Sequence, residues 1–166
     1  MVNTSGDGMG EVQYRPLQAD DAVALQDLHA HLSDETVRRR FLGMHRELSE
    51  VEAHRFADVD HLGREAIAAV HGNEVIGVAR YEQTAVDTAE VAVVVRDDYQ
   101  RQGHGTRMMQ ILLDRARHAD IRYFKLERLA DNNAVVALIG RLGLERSRVS
   151  ITRYGVTAET VRIPDM

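Results

Sequence analysis

The sequence has 166 residues, the length of one domain, and its hydrophobic fraction of 44% is sufficient for a sizeable core. Its formal net charge of −5 argues against a nucleic-acid-binding domain, which is usually basic. The absence of cysteine excludes disulfides, thiolate metal sites and cysteine nucleophiles. No run of about 18 apolar residues occurs, so we expect no membrane-spanning helix, no membrane partner and a cytoplasmic location.

One continuous domain is predicted over residues 11–166. Residues 1–10 are rich in glycine, serine and asparagine and lack the apolar stretch of a signal peptide, so we predict a disordered tail there. Pro16 and Pro164 are the only prolines, and no repeat or low-complexity linker interrupts the chain between them.

The first third of the chain predicts a strand followed by helices. Residues 12–15 are predicted to form a strand that ends at a proline. Asp20 can cap a helix in which three leucines at helical spacing make one apolar stripe. A second helical region follows in two pieces, at 34–41 and from Ser49, where the serine and a glutamate three residues later make a capping box.

The middle of the chain predicts most of a sheet. Residues 65–70 and 75–81 flank a turn and predict a β-hairpin, and the β-branched run 88–95 predicts the next strand. A helix with one apolar face is predicted from Gly105, and another strand is predicted at 122–127.

The last third of the chain completes the predicted architecture. Asn132 or Asn133 can cap a further helix that ends at Gly143, and residues 144–156 predict a final pair of strands. The resulting order, β-α-α-β-β-β-α-β-α-β-β, indicates a mixed α/β sheet with helices packed on its faces.

A glycine-containing loop follows the β-branched strand and opens the next helix. The loop and the first turn are formed by Gln100, Arg101, Gln102, Gly103, His104, Gly105 and Thr106. The first turn of a helix has free N–H groups and the positive end of the dipole, and glycines let a phosphate approach the backbone. These features predict an anion site, most simply for a pyrophosphate.

The loop does not match two common phosphate motifs. A dinucleotide fingerprint would need a third glycine where Met108 stands, and a P-loop would need Gly-Lys followed by Ser or Thr. The pattern present is Q-x-x-G-x-G, from Gln100 to Gly105. A nucleotide-binding α/β domain is therefore disfavoured.

In its place after the fourth predicted strand, this pattern resembles the R/Q-x-x-G-x-G/A motif of the GNAT superfamily of N-acetyltransferases. The family often shows an asparagine followed by an aromatic, a glycine and a phenylalanine, and Asn132, Ile139, Gly143 and Leu144 stand at those places. The resemblance spans roughly residues 12–150. It implies a GNAT fold, with a mixed, mostly antiparallel sheet of six or seven strands and about four helices.

The resemblance implies acetyl-CoA as co-substrate and no metal. Backbone groups of Val93 and Val95 would bind the pantetheine arm, and the N–H groups of residues 101–106 would hold the pyrophosphate. In this family the fourth and fifth strands separate, the thioester lies in the gap, and a free N–H, that of Val93, could stabilise the oxyanion. The predicted cofactor-binding residues are Val93, Val94, Val95, Gln100, Arg101, Gln102, Gly103, His104, Gly105, Thr106 and Asn132.

A narrower resemblance is carried by short segments outside the loop. They are Arg-Arg-Phe-Leu-Gly at 39–43, Leu-Ser-Glu at 48–50, Asp-Val-Asp at 58–60, Ile-Gly-Val-Ala-Arg-Tyr at 76–81 and Ala-Glu-Val-Ala at 89–92. These segments resemble the GNAT domain of bacterial protein lysine acetyltransferases that modify acyl-CoA synthetases. The resemblance implies a protein lysine as acceptor, such as that of an acyl-CoA synthetase. We expect a monomer or a homodimer and no nucleic-acid partner.

Direct transfer requires a neutral amine, whereas lysine is almost entirely protonated at pH 7 because its pKa is about 10.4. A general base is therefore useful. Glu90 begins the fourth strand, beside the predicted gap, and matches the glutamate that the resembling lysine acetyltransferases use. We predict Glu90 as the catalytic base and expect its carboxylate to be partly buried. The alternative is an ordinary exposed carboxylate at a strand end.

The general acid is not evident from the sequence. Many GNAT enzymes protonate the leaving thiolate with a tyrosine, and Ile139 at that position has no proton to donate. Tyr154 and Ser147 are weak substitutes, and water can serve because the CoA thiolate is a fair leaving group.

Two further groups are predicted to lie at the surface. The run of Arg38, Arg39 and Arg40 is interpreted first as a solvated helix face and second as a contact for the 3′-phosphate of CoA or an acidic partner. The ring of His104 is expected to face solvent.

Two other functions remain open from the sequence. One is acetylation of a small amine, such as an antibiotic, a polyamine or an amino acid. The other is a non-catalytic module that senses acyl-CoA. Glu90→Gln separates the sensor from the enzyme, because a sensor would tolerate the change while an enzyme should lose turnover.

Overall fold

The computed structural model describes residues 10–151 and 153–165, so the predicted tail, apart from Gly10, lies outside the described residues. Within them, seven strands form one sheet: β1 (Gln13–Pro16), β2 (Arg64–His71), β3 (Glu74–Ala85), β4 (Thr88–Val95), β5 (Tyr123–Leu129), β6 (Glu145–Ile151) and β7 (Val156–Arg162). The α-helices of the same residues are α1 (Ala22–Ala30), α2 (Asp34–Phe41), α3 (Glu50–Ala57), α4 (His104–His118) and α5 (Asn133–Arg141).

The strand order is β1-β2-β3-β4-β5-β7-β6, and β4–β5 is the parallel pair among otherwise antiparallel neighbours. The predicted mixed, mostly antiparallel sheet is confirmed. The described residues form five α-helices where about four were expected, because the second helical region makes two separate helices.

Helices cover both faces of the sheet and bury two apolar clusters. On one face, α4 contributes Met108 and Leu112 to a cluster that includes Phe124. On the other, α1 and α3 pack with Leu17 and Val78. In β2 successive residues alternate between the clusters, with Ile67 and Ala69 in the first and Ala66 and Ala68 in the second, as the period of two requires.

The sequence correctly predicted the residue at which α3 begins but not the residue at which α1 begins. The capping box at the start of α3 is confirmed, since Ser49 and Glu52 each accept a hydrogen bond from the other's backbone N–H. The predicted cap Asp20 is wrong, because a short 3-10 turn precedes α1 and Asp21 is the residue before the helix. The carboxylate of Asp21 accepts from the Gln18 N–H (2.8 Å).

The last strand lies later than predicted. Tyr154 and Gly155 form the turn with φ of 70° and 75°, so β7 begins at Val156 and not before it. Within the described residues, no helix combines the length and the apolar character that a bilayer crossing requires.

The central feature of the sheet is that β4 and β5 separate. They pair only at Thr88–Tyr123, Ala89–Phe124 and Glu90–Lys125. Each strand nevertheless continues beyond this point, β4 beside β3 to Val95 and β5 beside β7 to Leu129. The sheet therefore divides into two halves that diverge after Glu90, as the family resemblance implied.

Candidate active site

A cleft of about 480 Å³ occupies the opening between β4 and β5. Its walls are residues 91–95 of β4, the loop before α4, one side of α2 and the length of α5. The cleft thus joins the predicted phosphate loop to the point at which the strands part.

The loop before α4 presents unpaired backbone N–H groups to this cleft. Arg101 and Gly103 have positive φ, of 59° and 87°, and the first hydrogen bond of the helix runs from the Arg107 N–H to the Gly103 carbonyl (3.0 Å). The N–H groups of residues 101–106 have no acceptor among the described residues, and no side chain caps the helix. Such a turn at the positive end of a helix dipole suits a pyrophosphate.

The side chains of the two loop glutamines brace the loop. The Gln100 amide donates to the Val95 carbonyl (2.9 Å) and to Thr36 Oγ1 (3.2 Å), which ties the loop to β4 and α2. The Gln102 amide donates to the Asp98 carbonyl (3.1 Å). Gln100 lines the cleft, whereas Gln102 is not among the residues that form its walls.

Asp97 fastens the start of α2 to the same loop. Its carboxylate accepts from the backbone N–H of Ser33 (2.9 Å) and from the hydroxyls of Ser33 (2.7 Å) and Thr36 (2.9 Å). Desolvation alone would raise the pKa of Asp97, but these hydrogen bonds hold it below its usual value. The charge of Asp97 therefore stays in place at neutral pH and keeps α2 against the cleft.

The prediction that His104 faces solvent is wrong. Its Nδ1 lies 2.7 Å from the Tyr14 hydroxyl, and its ring lies between Tyr14 and Tyr99. Burial, and second the nearby His71, lower the pKa of His104, so the ring is neutral at pH 7. The backbone N–H of His104 is still one of the loop N–H groups that have no acceptor among the described residues.

The edge of β4 contributes further donors. The Arg96 N–H points toward β3, where it donates to the Ile76 carbonyl (2.8 Å). Because N–H directions alternate along a strand, those of Val93 and Val95 point into the opening. Val94, also predicted as a cofactor residue, borders the cleft but packs its side chain in the cluster on the opposite face.

Asn132 supplies a buried acceptor on the far wall. It is 6% exposed, precedes α5 and borders the cleft, and its Oδ1 has no hydrogen-bond partner among the described residues. Buried polar atoms are normally hydrogen-bonded, so this oxygen suits an amide N–H of a bound ligand. The donors on β4 and this acceptor fit the amide-containing arm of a CoA thioester.

A second cavity of about 550 Å³ meets the cleft where the strands part. Both are lined by Arg40, Val91, Ala92, Leu126 and Glu127. A group in the second cavity therefore has direct access to the inner end of the cleft.

Glu90 lines this second cavity. On the sheet it lies in register between Glu82 of β3 and Lys125 of β5, and no hydrogen bond or ion pair joins its carboxylate to another described residue. The expected partial burial is wrong, since the side chain is exposed. It is exposed because the last paired position before the opening faces the open cavity.

The structure brings in two site residues that the sequence did not single out. Glu127 lines both the cleft and the cavity, and its carboxylate has no counter-ion among the described residues. Glu127 and Lys125 are two residues apart on β5 and therefore point to the same face of the sheet as Glu90, which the period of a strand could have predicted. Arg80 of β3 lines the cavity opposite Ala92.

The arginine run does not form one solvated face. Arg38 and Arg39 both pair with Glu35 (3.0 and 2.8 Å), but Arg40 turns inward to the junction of the cleft and the cavity. Its position three residues after the buried Val37 could have indicated this orientation.

None of the considered acids lies at the junction. Ile139 is buried and lines the cleft, Tyr154 is 97% exposed in the turn before β7, and the Ser147 hydroxyl donates to the Thr160 carbonyl (3.0 Å). Among the described residues, no group of three or more His, Asp or Glu side chains is placed to hold a metal ion.

A divided sheet with an anion-binding loop at one end of the division is the architecture of an acetyl-CoA-dependent N-acetyltransferase. The sequence matches the Acetyltransferase (GNAT) family over residues 25–144, and the chain belongs to this family. Acetyl-CoA, the co-substrate that the resemblance predicted, is the one that this family of acetyltransferases uses.

Named relatives agree with this assignment. Acetyltransferase Pat of Mycolicibacterium smegmatis is 29% identical over 154 residues, which cover 90% of this chain and 45% of that protein. The chain thus spans just under half the length of this curated relative. The GNAT domain of S. lividans PAT superposes with a TM-score of 0.83 at 31% identity, over 92% of this chain and 91% of that one.

A more distant structure shares the fold. The acetyltransferase yncA of Salmonella typhimurium, solved with its cofactor acetyl-CoA, has a TM-score of 0.75 at 16% identity and covers 95% of this chain and 96% of its own. At this identity the likeness concerns the fold alone.

Proposed function

We propose that this domain transfers the acetyl group of acetyl-CoA to the side-chain amine of a protein lysine. The observation that carries the proposal is the meeting of two cavities at the point where β4 and β5 part, with Glu90 on the side opposite the phosphate loop. The similarity to the PAT domain and the short segments shared with protein lysine acetyltransferases support a protein acceptor.

The co-substrate is held by backbone along the cleft. The N–H groups of residues 101–106 bind the pyrophosphate, and that of Val95 binds the pantetheine arm from β4. Asn132 Oδ1 accepts from an amide of the arm on the opposite wall. This arrangement leaves the thioester at Val91 and Leu126, where the cleft meets the second cavity.

The acceptor amine approaches through the second cavity. Glu90 takes a proton from the ammonium, directly or through a water, and the neutral nitrogen attacks the thioester carbon. The Val93 N–H, directed into the opening, stabilises the negative charge that develops on the carbonyl oxygen.

The reaction then ends without a protein acid. The carbon–sulfur bond breaks, CoA leaves as a thiolate, and the amide nitrogen releases its second proton to solvent. The thiolate takes a proton from solvent because Ile139 occupies the place of the usual tyrosine. The products are the acetylated lysine and free CoA.

The test is turnover of a purified acyl-CoA synthetase and of lysine-containing peptides with acetyl-CoA, followed by free thiol and by mass spectrometry of the acceptor. We expect acetyl-lysine with wild type. Glu90→Gln should lower kcat by about 10²–10⁴-fold without changing the Kd for acetyl-CoA. Glu145→Gln, which removes an exposed strand carboxylate outside both cavities, is the matched control.

Two results would contradict the proposal. If wild type acetylated polyamines, antibiotics or free amino acids but no lysine of a protein or peptide, the acceptor would be a small amine. If Glu90→Gln retained full turnover, the base would be another group, and Glu127 on the shared wall would be the next to replace.

A further inference from the structure

Arg40 is a charged group without a counter-ion at the centre of the site. Its guanidinium has neither a hydrogen bond nor an ion pair with another described residue and lies over the Phe41 ring at 4.9 Å from the centroid. Its neighbours in the run are paired, Arg38 and Arg39 with Glu35. Arg40 alone of the three enters the acceptor cavity.

Arg80 reaches the same place from β3. Its Nη1 donates to the Phe56 carbonyl (3.2 Å), and its guanidinium stacks on the Phe56 ring at 4.6 Å. It lies in register with Ala92, the residue of β4 at the opening, and no carboxylate of the described residues pairs with it. Both guanidinium groups therefore face one cavity, and no carboxylate of the described residues forms an ion pair with either of them.

Holding two such charges together is unfavourable in the free protein. Burial lowers the pKa of Arg40 to about 10, and burial with repulsion from Arg40 lowers that of Arg80 to about 10. Both nevertheless stay charged at pH 7. Desolvated charges without a partner destabilise a fold, and perturbed groups of this kind concentrate at functional sites.

The same cavity has an anionic side. Glu90 and Glu127 line it near the opening, where the acceptor amine must lie. Arg40 and Arg80 belong to its cationic part, which also includes Arg55, Arg64, Lys125 and Arg148. An acceptor complementary to both carries a positive amine and, beside it, an anion. The planar guanidinium matches a carboxylate through paired hydrogen bonds.

We propose that Arg40 and Arg80 bind a carboxylate of the acceptor and thereby select lysines that have an acidic side chain nearby on the acceptor protein. This inference rests on the proposed function and specifies its substrate. The two arginines thus determine specificity, and the chemistry at the amine stays with Glu90.

The test compares matched lysine peptides that contain Asp or Glu, or the amides Asn or Gln, at each position near the lysine. We expect wild type to prefer at least one acidic peptide by roughly tenfold or more in kcat/KM, as a hydrogen bond to a charged group would give. Arg40→Gln and Arg80→Gln should both lose this preference, and Arg80→Gln, which lies outside the co-substrate cleft, should keep turnover of the amide peptides. Arg46→Gln, which removes an exposed arginine outside both cavities, should retain it.

A binding measurement keeps the result independent of turnover and folding. Glutarate at constant ionic strength should raise the Tm of wild type and of Arg46→Gln, but not that of Arg40→Gln or Arg80→Gln. Both cavity variants should be at least as stable as wild type without glutarate, because each removes a desolvated charge.

The outcomes separate the two proposals. Equal kcat/KM for acidic and amide peptides, or a glutarate shift that survives both substitutions, would overturn the anion site while lysine acetylation stands. Glutarate binding that needs both arginines, with no lysine peptide acetylated, would refute the lysine proposal and leave the anion site. Turnover of free acidic amino acids in place of peptides would support the site and assign the carboxylate to a small acceptor.

Discussion

Two histidines are kept neutral by their surroundings. His29 is 6% exposed, packs against Phe41 and His45, and its Nε2 has no partner among the described residues. Burial, and second the charge of His45, lower its pKa, and burial with His71 does the same for His104. Protonation of either ring therefore disfavours the folded state.

This arrangement predicts a loss of stability in mild acid. Above the ordinary histidine pKa of 6.5, the two rings are neutral in both the folded and the unfolded protein, so they contribute nothing to the pH dependence of the free energy of unfolding. As pH falls through 6.5, the unfolded chain takes up the protons first, so stability decreases until the lower folded pKa is passed. The free energy of unfolding, measured in urea between about pH 7 and pH 5, should fall less steeply for His29→Phe than for wild type. His54→Gln, at an exposed position, should leave the slope unchanged, and an equal slope for His29→Phe would refute the account.

Single residues of the site differ in how far sequence predicts them. The loop from Gln100 to Gly105 was predictable because its property, free backbone N–H groups at a helix start, is local. The orientation of Arg40 and the setting of His104 depend on partners distant in the chain, such as Tyr14 at 2.7 Å from His104. For the same reason, the exposure of Glu90 followed only from the separation of β4 and β5.

At the scale of elements, β3 and β4 pack closely at Gly77. A Cβ added there would lie 2.9 Å from the Val94 carbonyl oxygen and 2.9 Å from Met108 Cε. The methionine can move, but the carbonyl belongs to the backbone of β4. The position of the strand that forms one wall of the cleft therefore depends on a glycine on its neighbour.

Gly77→Ala is accordingly expected to destabilise the protein by about 1–3 kcal/mol, as overpacking does, and to weaken acetyl-CoA binding by displacing β4. Gly140→Ala is the matched control, since nothing lies within 4 Å of its added Cβ and it sits inside α5. Gly140→Ala should increase the free energy of unfolding by roughly 0.5–1 kcal/mol, because alanine has a higher helix propensity than glycine. Chemical denaturation and calorimetric titration measure both effects, and unchanged stability of Gly77→Ala would show that β4 accommodates the methyl group.

Sequence predicted most elements because their apolar periodicity is strong. The β-branched run of β4 and the apolar face of α4 are examples, and the structure confirms both. The turn before β7 was missed because Tyr154 has a positive φ, a conformation that its residue type does not indicate.

For the whole molecule, the decisive feature is a sheet that divides between β4 and β5. The division exposes strand edges to the co-substrate on one side and connects them to an acceptor cavity on the other. The pattern of elements predicted the family fold, but the shape and charge of the acceptor cavity arise from α2, α3 and six strands together. The acceptor is therefore determined by the assembled cavity and not by any single sequence motif.

The account depends most on the backbone of residues 101–106 binding the pyrophosphate of acetyl-CoA. Calorimetric titration with acetyl-CoA and with S-acetylpantetheine, which has the same thioester arm but lacks the pyrophosphate and the 3′-phosphoadenosine, tests this. S-acetylpantetheine cannot form the charge-assisted hydrogen bonds between the pyrophosphate and the loop. We therefore predict that acetyl-CoA binds roughly a hundredfold or more tightly than S-acetylpantetheine. Equal affinity for the two compounds, or no binding of acetyl-CoA at millimolar concentration, would contradict it.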